Sequence, residues 1–307
     1  MRIIFFGTPD FAVASLRALL ESGHDIAAVV TAPDKPAGRG QQLSQSAVKK
    51  YAVEQGLEIL QPEKLKAPEF LETLRELAAE LHVVVAFRML PEAVWAMPPL
   101  GTINVHASLL PQYRGAAPIN WAIINGESFT GVTTFQLQQE IDTGGILLQK
   151  ETAILPEDDF GTLYQKLMEQ GAALLTETVQ ELAAGKLKPQ PQPQHPEGLK
   201  HAPKIFKADC ELVFSQSAEA VHNKVRGLSP FPTAYTFLDG KALRIFKSRF
   251  EVVKEDYPLP KPGDYETDRK SYLRFATPDG WLWVEELQLE GKKRMSVPEF
   301  LRGYRFS

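Results

Sequence analysis

Apolar positions run unbroken in the first part of the chain and alternate with polar ones later. RIIFFG, Arg2–Gly7, is a short continuous run ending in glycine, which predicts a buried strand. From Thr8 to Gly23 the apolar residues recur three and four apart. This predicts a helix with Thr8 as cap, Pro9 in the first turn and Gly23 as the stop. DIAAVVT returns to a continuous run. Strand, helix and strand in such a short span predict a parallel βαβ unit. VVVAF (83–87) and GTINV (101–105) predict further strands of the same sheet. GVTTFQL (131–137) alternates more and fits an edge or antiparallel strand. Residues 160–185 carry the pattern of one long amphipathic helix ending at Gly185.

The texture then changes. KLKPQPQPQHPEGLKHAPK (186–204) is rich in proline and poor in apolar residues, the composition of a semi-rigid linker or extended strap. SAEAVHNKVRGL (217–228) predicts a helix. TAYTFL, KALRIFKSRFEVV, SYLRFAT and GWLWVEELQL read as short strands, with turns at Asp239-Gly240 and Asp279-Gly280. That texture suits a small β-barrel. The expected fold class is therefore α/β: a Rossmann-like domain with a mostly parallel sheet over 1–185, a proline-rich linker over 186–204, and a small barrel over 205–307. No internal repeat interrupts this plan.

Composition narrows the reading. The 307 residues are 44% hydrophobic, enough for a real core. The net charge of -4 argues against a protein that coats nucleic acid with its whole surface. Residues 1–203 hold 16 Lys and Arg against 23 Asp and Glu, and residues 204–307 hold 18 against 15. The later part is thus the better place for an anionic partner. Cys210 is the single cysteine, so no disulfide forms within the chain, which fits a reducing cytosol. Pro9 and Asp10 interrupt the apolar start before a signal peptide is complete. No run approaches the roughly 18 apolar residues of a membrane span.

Candidate chemistry concentrates in NVHASLLPQYRG, Asn104–Gly115. The first turn offers only Gly7, so a dinucleotide fingerprint is absent; GTPDFA reads as a helix cap ahead of a ligand contact. Asn104 and His106 lie two apart and share one face of a strand. At the C-terminal end of a parallel strand they point into the crevice where such sheets bind ligands. Both can donate to an oxygen gaining negative charge, and His can pass a proton. The competing reading is an ordinary, satisfied pair of polar side chains at a strand end. No G-x-S-x-G elbow is present, so a substrate would have to supply the nucleophile. Asp142, between Ile141 and a Thr-Gly-Gly turn, suits a third group that orients or deprotonates; a plain Asp turn or helix cap is its alternative. Glu157–Phe160 reads as solvated charge and helix capping. His24, His82, His195, His201 and His222 show no metal-ligand spacing. Lys35, Arg39, Lys49 and Lys50 lie in TAPDKPAGRGQQLSQSAVKKYA (31–52), a solvated loop or a surface for a polyanion.

Taken together, IIFFGTPDFA, PDKPAGRG, INVHASLLPQYRGAAPI, TGVT, IDTG and GLSPFPTAYT occur in an order that resembles the methionyl-tRNA formyltransferase family along nearly the whole chain. The resemblance implies catalytic roles for Asn104, His106 and Asp142, and folate binding by Ser108, Leu109, Leu110 and Pro111. It implies that the loop with Lys35 and Arg39 meets the acceptor end of tRNA, and that the second domain is an OB-like barrel holding tRNA. The implied reaction moves a formyl group from 10-formyltetrahydrofolate to initiator methionyl-tRNA in the cytoplasm, supporting translation initiation, by a monomer and without a metal.

Four residues depart from the family pattern. Gln41 and Gln42 stand where lysines often follow GRG, Arg88 replaces a small residue, and Gly145 follows the DTG turn where a polar residue is common. The catalytic trio is also shared by folate-dependent formyltransferases of amino-sugar nucleotides or glycinamide ribonucleotide, and the same site with water would release formate. A barrel that only binds RNA is the alternative outside enzymes. The 31–52 loop and the second domain favour tRNA over a small amine.

Overall fold

The computed structural model describes residues 1–37, 42–193, 198–254 and 257–306. Arg39 and Gln41, with His195, fall outside them. Contacts divide the chain into two compact units. The first holds Met1–Gly115, Thr130–Thr152 and Tyr164–Lys200; the second holds Ala116–Phe129, Ala153–Leu163 and His201–Ser307.

The first unit is built on a seven-stranded sheet. Its spatial order is Ile146–Ala153, Phe129–Gln136, Thr102–His106, Leu81–Val85, Arg2–Gly7, Asp25–Val30 and Ile59–Leu60. From Thr102–His106 to Ile59–Leu60 every neighbouring pair is parallel. Phe129–Gln136 joins antiparallel, with His106 opposite Thr133. The continuous apolar runs are explained by burial on both faces: Ile3, Ile4, Phe5, Phe6, Val83 and Val85 are all inaccessible to solvent. From Arg2–Gly7 the chain winds first toward Ile59–Leu60, then returns to add Leu81–Val85 on the other side. The switch point, where such sheets open a crevice, lies beyond Gly7 and Val85.

Two local expectations shift. The first helix runs Asp10–Glu21 with Pro9 at its N-cap position and no side-chain cap, so Thr8 does not cap it. The Phe11 N–H instead donates to the Tyr164 hydroxyl at 3.0 Å. Gly7 is needed there for packing: a Cβ on it would sit 2.6 Å from Ala12 Cβ. The strand expected at 83–87 is Leu81–Val85; Ala86 turns to φ 47 and ends it. Inside 31–52 a helix, Ala47–Glu54, begins at Ser46, whose side chain accepts from Lys49 N at 3.0 Å.

The second unit carries an antiparallel sheet ordered Ala234–Leu238, Lys241–Val252, Gly280–Leu289, Leu273–Thr277 and Tyr265–Thr267, with Met295–Ser296 also on Gly280–Leu289. No pairing among the described residues joins Ala234–Leu238 to Tyr265–Thr267, so the expected barrel is a half-barrel. Asp239 and Gly240 take φ 47 and 75, the primed turn that the sequence predicts. The core joins Val221, Val225 and Leu228 of the helix Ala218–Leu228 to Leu243, Ile245, Phe275 and Leu282 of the sheet.

This division differs from cuts at 185 and 205. Asn120 Nδ2 donates to Gly227 O at 2.7 Å, and Arg226 donates to the carbonyls of Leu155, Pro156 and Asp158. Two segments that precede the proline-rich stretch thereby belong to the second unit. The described residues of 186–200 pack with the first unit.

Candidate active site

The strand expected at 101–105 is Thr102–His106, so Asn104 and His106 both lie on it with side chains on one face. His106 is 7% exposed. Its Nε2 lies 2.9 Å from Tyr113 O. A carbonyl only accepts, so Nε2 carries the proton and the nitrogen free to gain or lose one is Nδ1. Nδ1 is 3.8 Å from Asp142 Oδ2. Asp142, 9% exposed, accepts from Gly115 N at 2.9 Å through the same Oδ2. Asp142 lies 36 positions beyond His106 in the chain, and the fold brings its carboxylate to the ring.

Asn104 differs from its neighbours. Its Oδ1 is buried and has no hydrogen-bond partner. A buried amide left open costs about 1–3 kcal/mol, so a bound molecule that satisfies it recovers that cost. The competing reading, a satisfied strand-end pair, does not hold for this side chain. Tyr113 and Asp142, which supply polar contacts to His106, both adopt left-handed backbone, φ 59 and 55. Such positions cost about 1–3 kcal/mol and gather at functional sites.

The Ser108–Pro111 segment follows directly. Ser108 is fully buried, and its hydroxyl donates to Gln112 O at 2.6 Å, closing the turn. Leu110 is buried, while Leu109 and Pro111 are partly exposed. Two residues missed by sequence reasoning hold this turn. Thr133 Oγ1 donates to Ser108 O at 2.6 Å and receives Leu110 N at 3.1 Å. Gln149 Nε2 donates to Leu110 O at 2.9 Å and to Thr133 Oγ1 at 3.0 Å. The register placing Thr133 opposite His106 was their only signal, and it is visible only once the strands pair.

Other expected residues lie apart from this cluster. Lys35 is exposed on the strand Lys35–Ala37, which pairs with Gln42–Ser44. Lys49 is bound to Asp34 at 2.6 Å, so it is not available to a polyanion as the bare pattern suggested. Arg88 donates to the Pro62 and Glu63 carbonyls. In the half-barrel, Lys247, Arg274 and Arg294 pair with Glu285, Glu266 and Glu286, and Arg249 stacks on Trp283. Among the described residues no group of His, Cys, Asp and Glu gathers as a metal site, and no helix is long and apolar enough to cross a membrane.

Residues 1–179 match the formyl transferase family and residues 204–305 match its C-terminal domain. A methionyl-tRNA formyltransferase of Parabacteroides distasonis is 53% identical over 99% of this chain and 96% of its own length. The chain belongs to the methionyl-tRNA formyltransferase family. Solved structures share the fold. The sugar 3N-formyltransferase WlaRD, crystallised with dTDP and 5-N-formyl-THF, has a TM-score of 0.67 at 19% identity, covering 95% of this chain and 99% of that one. HypX of Aquifex aeolicus, in complex with tetrahydrofolic acid, has a TM-score of 0.64 at 21% identity, covering 100% of this chain and 48% of that one. Within this formyltransferase chain, the match over 1–179 contains the strand end, the Ser108–Pro111 turn and the Asp142 loop together.

Proposed function

We propose that this chain transfers the formyl group of 10-formyltetrahydrofolate to the α-amine of initiator methionyl-tRNA. The observation that carries the reading is the buried pair His106 and Asp142 beside Asn104, whose unpartnered Oδ1 can accept from an amine N–H, in a chain 53% identical along its length to a methionyl-tRNA formyltransferase.

The amine nitrogen attacks the formyl carbon, and the carbonyl oxygen gains negative charge. Asn104 Nδ2 and His106 donate to that oxygen. Preorganised donors of this kind act in a dry site, where they are worth more than in water. The bond from the formyl carbon to the folate nitrogen then breaks. The attacking amine loses a proton and the departing nitrogen gains one. His106 handles protons at Nδ1, because Nε2 is committed to the Tyr113 carbonyl. Asp142 Oδ2 faces Nδ1 across 3.8 Å and orients the ring. The turn Ser108–Pro111, held by Thr133 and Gln149, presents the folate donor beside Asn104 and His106.

Lys35 and Arg39 serve binding of the tRNA acceptor end, and the C-terminal half-barrel gives a second surface for it. The chain works as a monomer in the cytoplasm. Transfer of labelled formyl to methionylated initiator tRNA, with methionylated elongator tRNA and free methionine alongside, tests the reading. Transfer confined largely to the initiator is expected. Absence of transfer to every acceptor, from protein that still binds folate, overturns the choice of acceptor.

A further inference from the structure

The proline-rich stretch expected as a linker is tied to both contacts of His106. Gln190 and Ile146 exchange two backbone hydrogen bonds, 2.7 and 2.8 Å. Pro189 seats on Gly145, where a Cβ would stand 2.6 Å from Pro189 Cβ. This explains why glycine follows the DTG turn in this chain. Two residues beyond Gln190, Gln192 is 8% exposed and spends both ends of its amide. Its Nε2 donates to Asp142 O at 2.9 Å and to Gly144 O at 2.8 Å. Its Oε1 accepts from Arg114 Nε at 3.1 Å and Nη2 at 2.6 Å.

Arg114 stands between the two residues that meet the catalytic pair. Tyr113 before it offers its carbonyl to His106, and Gly115 after it donates to Asp142. Lys200 then returns to the same segment: its carbonyl accepts from Tyr113 N at 2.7 Å, and its N–H donates to Gln112 Oε1 at 2.9 Å. The described residues of this stretch therefore hold both the loop carrying Asp142 and the segment carrying the Tyr113 carbonyl.

We infer that Gln192 is a positioning residue for formyl transfer: by tying the Asp142–Gly144 carbonyls to Arg114, it holds the Asp142 carboxylate against His106 Nδ1. The inference rests on the reading of His106 and Asp142 as the working pair of a formyltransferase. Asp142 is in left-handed backbone, which relaxes if its carbonyl is released. Buried amides that satisfy two carbonyls and a guanidinium at once leave no slack for that relaxation.

Two variants of the full chain separate positioning from mere packing. Gln192→Met keeps the volume and removes every polar contact. Gln192→Glu keeps the volume and the pairing with Arg114 but, as a carboxylate, cannot donate to the two carbonyls. Steady-state formyl transfer is measured for both and for the wild type, with circular dichroism to normalise for folded protein. Both variants are expected to lose about 10- to 100-fold in kcat, since misplacement of a catalytic group by about 1 Å costs on that order. The KM values for folate donor and tRNA should move little, because Gln192 acts through Asp142 and Arg114. Wild-type kcat in Gln192→Met overturns the inference, as does wild-type kcat in Gln192→Glu or a loss confined to KM. Absence of transfer by the wild type itself overturns the parent reading and this inference with it; an active wild type with unchanged variants overturns the inference alone.

Discussion

Thr133→Val tests how the turn Ser108–Pro111, proposed to present the folate donor, is held. Thr133 is fully buried, and valine matches its shape while replacing the hydroxyl by a methyl. Three contacts disappear: donation to Ser108 O, and acceptance from Leu110 N and Gln149 Nε2. Gln149 keeps its bond to Leu110 O, so it is not orphaned. Ser108 O and Leu110 N are. A buried group without a partner costs about 1–3 kcal/mol, so the pair costs roughly 2–6 kcal/mol. At about 2–4 °C per kcal/mol for a domain of this size, Tm should fall by roughly 4–24 °C. The kinetic consequence should be uneven. Asn104 and His106 stand on the strand and keep their places, while the turn from Ser108 to Pro111 loosens. The KM for 10-formyltetrahydrofolate should therefore rise more than kcat falls. Differential scanning fluorimetry and transfer kinetics at varied donor concentration measure both. An unchanged Tm together with an unchanged donor KM would refute the reasoning.

Asn104→Ala and His106→Ala should each slow transfer by about 100-fold or more, the cost of one lost oxyanion donor; near wild-type turnover in either sinks its assignment. Gly145→Ala should push Pro189 off the loop at a cost of about 1–3 kcal/mol and lower kcat, and a fully active, equally stable variant would contradict the packing. Burial pushes the His82 imidazole from 6.5 down to about 4. The unfolded chain then takes up a proton that the folded chain refuses, so stability is whole above about pH 6.5 and falls as pH drops toward 4, by roughly 3 kcal/mol at the low end. Urea midpoints across this window should show a flatter dependence in His82→Leu, and equal slopes in the two proteins would count against it. Arg39→Ala should reduce kcat/KM for tRNA while leaving the donor KM unchanged; an unaltered response to tRNA concentration argues against the loop's role.

Much of the sheet was legible because hydrophobic period is a local property. RIIFFG and DIAAVV are near-continuous apolar runs, and each is a strand buried on both faces. The period failed where it had too little to act on. Ile59–Leu60 is two residues long, and Ile146–Ala153 exposes its later residues at the sheet edge, so neither carries a distinctive pattern. The primed turn at Asp239-Gly240 was readable because it requires positive φ, which those residue types tolerate.

Residue chemistry and spacing by themselves determined the candidates Asn104, His106 and Asp142, since amide, imidazole and carboxylate announce what they can do wherever they lie. Only the tertiary structure decided which hydrogen-bonding groups surround them. Thr133 lies 25 residues from Ser108, Gln149 39 from Leu110, and Gln192 50 from Asp142. Nothing local marks those partners, because a threonine on a strand or a glutamine among prolines looks the same whether it faces solvent or a buried carbonyl. Sheet order and the described residues of the 186–200 stretch bring them together, at a closure cost that only the completed core repays.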